Sequence, residues 1–198
     1  GMEGYDRYPV FSPDGSMLAF MSMETPGYEA DQQRLFLHSF ADGSNRYLTE
    51  GFDQDAVNYR WAADGRSVYF ISGLNATYQV YNIDTETLAI SQVTSGKHDY
   101  SSINLKNGVL AGVKRSMSMA PEIFRIDPAT GTETQLTFTN SNIYDAIDMG
   151  NVEERHVTTT DGKDMLVWVI YPPGFDPEKK YPALLYCQGG PQSPVSQF

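Results

Sequence analysis

Three imperfect copies of one turn-and-strand pattern fill the first 140 residues, and any fold assigned to the chain has to accommodate them. Ser12-Pro13-Asp14-Gly15 leads into Ser16-Met17-Leu18-Ala19-Phe20. Fifty residues later Ala62-Ala63-Asp64-Gly65 leads into Arg66-Ser67-Val68-Tyr69-Phe70, and a weaker copy reads Lys106-Asn107-Gly108-Val109-Leu110-Ala111. Asp-Gly and Asn-Gly accept the positive φ that tight turns demand, so each marks a hairpin. The second half of the pattern recurs too: Arg34–Phe40 matches Tyr78–Asp84 and Glu122–Asp127, each followed by a turn at Asp42-Gly43, Asp84-Thr-Glu86 or Asp127–Gly131. Each copy closes on a short strand ending in Leu48-Thr49, Val93-Thr94 or Leu136-Thr137, at spacings of 45 and 43 residues.

Four short strands per repeat of this length is the signature of a β-propeller blade. Gln79-Val80-Tyr81-Asn82-Ile83 alternates with the period of two expected of a strand, and no segment shows a sustained apolar helical period. The blades are expected at about 5–50, 55–95 and 98–138. Propellers close with about four to eight blades, so three imply a piece of a larger protein. A β-sandwich with coincidental spacing is the competing arrangement. Between Ser141 and Gly150 the pattern stops, which makes 141–150 a linker between a partial propeller (2–140) and a second unit (151–198). In that unit Asn151–Thr160 reads as a strand, Asp161-Gly162 as its turn, Met165–Tyr171 as an apolar return strand and Tyr181–Cys187 as a final strand.

Composition removes several functional classes. The net charge is -11 and no Lys/Arg run exceeds two residues, so neither nucleic acid nor an anionic membrane surface finds the basic patch it needs. No apolar run approaches the ~18 residues of a membrane-spanning helix. A single cysteine, Cys187, excludes an internal disulfide.

The closing stretch carries the chemistry. Tyr171-Pro-Pro-Gly-Phe-Asp-Pro-Glu-Lys-Lys-Tyr-Pro182 enters an apolar strand, Ala183–Cys187, that empties into Gln188-Gly189-Gly190-Pro191. Glycine there lets backbone approach a reacting carbonyl, since no Cβ stands in the way. This hairpin, Pro-rich entry and Gly-Gly-Pro stretch resemble the prolyl oligopeptidase family of serine peptidases, on the branch of dipeptidyl peptidase IV and acylaminoacyl peptidase. The resemblance implies a mainly β chain: the end of a propeller, then the opening strands of an α/β-hydrolase domain. It further implies a parent exopeptidase that cleaves short peptides by acyl transfer through a Ser-His-Asp triad, in a periplasmic or secreted setting. Gln188 stands where relatives carry a Tyr or His of the oxyanion hole, so Gln188 with the backbone of Gly189 and Gly190 is the candidate catalytic contribution of this sequence. The family's Gly-x-Ser-x-Gly elbow is absent, so this chain alone is expected to be inactive and, with uncovered strand edges, to self-associate. A non-catalytic propeller module for binding or scaffolding is the alternative. No cofactor or metal is expected.

The remaining reactive side chains read as structural. Glu153 and Glu154 are neighbours on a strand, so they point to opposite faces and do not converge on one amine. His38, His98 and His156 lack metal-ligand spacing. Cys187 reads as a small buried hydrophobe, and Ser193 and Ser196 sit in a loop rather than an elbow. The acidic loop Glu24–Gln33 lacks the ligand spacing of a calcium loop. Met21/Met23 and Met117/Met119 read as equivalent core-filling pairs of blades one and three.

Overall fold

The structure is a computed structural model that describes residues 1–187, 195 and 196. It contains three four-stranded antiparallel sheets in strict sequence order. The first is β1 (Asp6–Phe11), β2 (Met17–Ser22), β3 (Arg34–Ser39) and β4 (Asn45–Tyr47). The second is β5 (Val57–Trp61), β6 (Ser67–Leu74), β7 (Thr77–Asp84) and β8 (Ile90–Gln92). The third is β9 (Asp99–Lys106), β10 (Val109–Ser116), β11 (Met119–Ile126) and β12 (Glu133–Gln135). A single-turn helix, α1 (Ser141–Tyr144), follows, and then a hairpin of β13 (Val152–Thr158) and β14 (Asp164–Ile170). The architecture is that of consecutive propeller blades, as the repeat requires.

The turns form for identifiable reasons. In blade one Asp14 Oδ1 accepts the Ser16 backbone N–H at 3.0 Å and the Ser12 hydroxyl at 2.6 Å, and Gly15 sits at φ +73°. These bonds hold the Asp14 carboxyl at about 2, the Ser12 hydroxyl contributing most. Blade two repeats the turn with Asp64 Oδ1 accepting the Arg66 N–H at 3.0 Å. At the outer turns Gly43 and Gly131 occupy left-handed positions, where their N–H groups close turns onto Ser39 and Asp127. Blade two places Leu88 there at φ +62°, which strains the backbone but packs the side chain against the core.

Each blade ends on the same device. Leu48, Val93 and Leu136 donate their N–H to the carbonyls of Leu35, Val80 and Ile123 at 2.9, 2.8 and 2.8 Å. The following threonine hydroxyls accept the N–H of those same three residues at 3.0, 2.9 and 2.8 Å. The Leu/Val-Thr pair therefore caps the ladder where the fourth strand runs out, giving these backbone groups their partners.

The core lies between sheets. Ala19, Met21, Leu35 and Leu37 of blade one pack against Tyr59, Trp61, Val68 and Phe70 of blade two. Ile71 and Val80 of blade two meet Tyr100, Ile103 and Leu110 of blade three. Val68, Phe70, Val80 and Ile83 are fully buried, each stabilising by about 2 kcal/mol relative to exposure. The innermost strands add directional bonds across the blades. The Tyr59 hydroxyl donates to the Tyr8 carbonyl, Trp61 Nε1 to Val10 O at 3.0 Å, and the Ile103 N–H to Asn58 Oδ1 at 2.9 Å. Tyr8 and Asn58 lie at the register breaks of β1 and β5, both with positive φ, so the bulges turn these groups toward the neighbouring blade.

Two expectations fail. Tyr181–Cys187 forms no strand, and Leu184, Leu185 and Tyr186 are exposed, as is Cys187, which is therefore not a buried hydrophobe. A strand needs a ladder partner, and no described strand pairs with this segment. The methionine pairs are also not equivalent. Met21 and Met23 are buried in the core between blades one and two, whereas Met117 and Met119 flank the short turn between β10 and β11 and are half-buried. Blade one spans the same connection with the long loop Glu24–Gln33, so the registers diverge there.

Candidate functional site

The Pro-rich entry is organised by aromatic rings. Tyr171, at the end of the hairpin, packs against Phe175 with the rings tilted by 41° and their centroids 4.3 Å apart, and Phe175 contacts Tyr181 at 5.2 Å. The Asp176 N–H donates to the Tyr181 hydroxyl at 3.0 Å, and Gly174 turns the chain at φ +65°. Pro172 and Pro173 cannot donate to a ladder, which ends β14 and commits the chain to this fold-back. The entry delivers the chain to Cys187. Gln188, Gly189 and Gly190, and with them Ser193, lie outside the described residues.

The propeller meets the 151–196 segment along the connection between blades two and three. Lys97 Nζ lies 4.0 Å from Glu154 Oε2 and 5.9 Å from the Trp168 ring centroid. Two residues on, at the start of β9, Asp99 is 1% exposed. Its Oδ1 accepts the Tyr78 N–H at 2.9 Å and its Oδ2 accepts the Ser196 hydroxyl at 2.8 Å, with Arg115 Nε 3.9 Å away. Gln79 fixes this connection from below, donating through Nε2 to Gly96 O at 3.0 Å and His98 O at 2.8 Å.

His98 points the other way, into a half-buried ionic cluster. Its Nε2 is 3.2 Å from Glu133 Oε1, which also accepts the Tyr100 hydroxyl at 2.5 Å. Lys114 Nζ donates to Glu133 Oε2 at 2.5 Å and lies over the Phe124 ring at 4.6 Å. Burial pushes the Glu133 carboxyl upward, but the hydrogen bonds from His98, Lys114 and Tyr100 outweigh it and hold the group at about 2. Burial, then the bond to Glu133, pushes the Tyr100 phenol up. A carboxylate so fully engaged is a structural anchor of blade three rather than a general base.

The other reactive residues are placed as their sequence context suggests. Glu153 bonds Arg155 at 3.0 Å, while Glu154 bonds His156 at 3.1 Å, on the opposite face. Hydrogen bonds to Asp164 and then Glu154 raise the His156 imidazole. His38 contacts Asn45 at 2.8 Å and the Phe40 ring edge-on. Asp31 ties the acidic loop by accepting the N–H groups of Glu24, Thr25 and Gln32 and an N–H of Arg34. Among the described residues no group of three or more His, Cys, Asp or Glu is placed to hold a metal. Ser196 is buried on Asp99 rather than presented at a sharp turn. The Lys97–Asp99 junction and the Glu133 cluster escaped the sequence, because their partners lie far off in the chain and no local pattern links them.

Three consecutive four-stranded antiparallel sheets, followed by a hairpin and a Pro-rich entry, define a chain of β-propeller type. No family model matches the chain. Dipeptidyl-peptidase 5 of Porphyromonas gingivalis is 42% identical and that of Porphyromonas endodontalis 43% identical, in both cases over all of this chain and 29% of the relative. Among solved structures, an acylaminoacyl peptidase in complex with a chloromethyl ketone superposes with a TM-score of 0.79 over 96% of this chain and 29% of that one, at 19% identity, a likeness of fold alone. The chain is thus similar along its whole length to one segment of these dipeptidyl-peptidases. It spans 29% of the length of the curated relatives it matches.

Proposed function

We propose that this chain is the propeller–hydrolase junction of a serine exopeptidase that cleaves short peptides. The observation that supports this most is the 42% identity to a dipeptidyl-peptidase over the whole 198 residues, blades and Gly-Gly-Pro stretch together. In this reading 2–140 belongs to the propeller, 141–150 is the linker and 151–198 opens the α/β-hydrolase domain. The longer protein attacks the peptide carbonyl with a serine activated by histidine and aspartate. Gln188, with the backbone of Gly189 and Gly190, contributes to the oxyanion hole, where loss of one donor typically costs about 100- to 1,000-fold in rate. The 198-residue chain has no Gly-x-Ser-x-Gly and is inactive by itself. Dipeptidyl chromogenic substrates test both statements: turnover by the longer protein and none by the purified chain is expected. Turnover by the chain alone overturns its inactivity, and none by the longer protein overturns the peptidase assignment.

A further inference from the structure

We propose that Asp99 is a positioning residue for the catalytic domain, acting through Ser196. The inference rests on the reading of 151–198 as the opening of that domain. Asp99 begins β9 and belongs structurally to the propeller, since one of its oxygens holds the Tyr78 N–H within the stacked blades. Its other oxygen accepts the hydroxyl of a residue 97 positions away. Both ends of this bond are buried, Asp99 at 1% and Ser196 at 5% exposure, so it is shielded from competition with water and is directional. Lys97, two residues earlier in the connection, adds the contacts to Glu154 and Trp168. The blade-two-to-blade-three connection therefore touches the 151–196 segment at two separate places, and Asp99 supplies the buried one.

Ser196 lies eight residues beyond Gln188 in the sequence. The tie fixes Ser196 relative to the propeller, and in a catalytic assembly a misplacement of about 1 Å is enough to cost about a hundredfold in rate. The tie contributes to kcat and leaves peptide binding largely alone, because neither Asp99 nor Ser196 touches the substrate in this account.

The test uses the longer protein, with Ser196→Ala, Asp99→Asn and the double variant. Ser196→Ala leaves the Tyr78 contact to Asp99 in place and so removes only the tie. Each single change is expected to lower kcat about tenfold with KM within about twofold, and the double variant to be no slower than the worse single. Hydrogen exchange at the amides of Val195 and Ser196 is expected to quicken in all three variants to a similar degree. Unaltered kcat in Ser196→Ala, or losses that multiply in the double variant, overturns the positioning role. If the unmodified longer protein turns over no peptide, the peptidase reading fails by itself. The exchange measurement then decides the tie: unchanged exchange in Ser196→Ala refutes it.

Discussion

Thr94 Oγ1 accepts the backbone N–H of Val80 at 2.9 Å and donates to Gln79 Oε1 at 2.8 Å, so one hydroxyl closes the second blade and orients the amide that clamps the connection to the third. Thr94 is 2% exposed. Thr94→Val keeps the shape and deprives both groups of a buried partner, which costs about 2 kcal/mol. The equivalent Thr137→Val in blade three loses the exposed bond to the Ile123 N–H and also the bond its hydroxyl donates to the buried Glu122 carboxylate, so it is expected to cost more, bonds to charged groups being the stronger. Urea unfolding of the two variants checks the ordering; equal losses contradict it.

Glu133 gives the chain a specific acid sensitivity. Its folded pKa of about 2 lies below the usual 4.5, so its contribution is full above about pH 4.5 and is lost as pH falls toward 2. Glu133→Gln leaves the half-buried Lys114 without its charge partner and is expected to cost about 2 kcal/mol at pH 7. The gap in unfolding temperature between wild type and variant should shrink steadily below pH 4.5. A gap that stays constant down to pH 3 refutes the assignment.

Gly112, in β10, lies under the Tyr100 ring. A Cβ there would stand 2.6 Å from the nearest ring carbon and 3.2 Å from the Ser102 carbonyl. Gly112→Ala is therefore expected to push Tyr100 off Glu133 and destabilise by about 1 to 3 kcal/mol. A denaturation midpoint equal to that of the wild type would show that the ring moves freely.

What the sequence made legible followed from locality. Asp14-Gly15 and Asp64-Gly65 make turns by bonding within four residues, and Leu48-Thr49, Val93-Thr94 and Leu136-Thr137 recur because each blade needs the same ladder cap. The blades were readable for that reason. Tyr181–Cys187 was misread because an apolar run specifies a strand only when a neighbour is there to pair with it. Asp99 and Ser196 were unreadable as a pair because 97 residues separate them, and Glu133 gave no sign of gathering His98, Tyr100 and Lys114. At the candidate site the sequence pointed to Gln188, Gly189 and Gly190, while the described contacts that bear on it lie on the propeller side.

Self-association is expected of the 198-residue chain. Leu184 and Leu185 are 103% and 86% exposed, and Ile123, Leu136 and Phe138 of blade three are also open. Large apolar side chains left open in this way favour association with another chain. Light scattering at micromolar concentration should give a mass of at least two chains, with Leu184→Lys/Leu185→Lys shifting it downward. A monomer mass for the unmodified chain contradicts the expectation.

The central claim, that this is the junction segment of a serine peptidase whose nucleophile lies elsewhere in the protein, is tested most directly by a fluorophosphonate probe that labels activated serines. Applied side by side, it is expected to label the longer protein at one serine outside residues 1–198 and to leave the 198-residue chain unlabelled. Labelling of Ser193 or Ser196, or an unlabelled longer protein, would contradict the account.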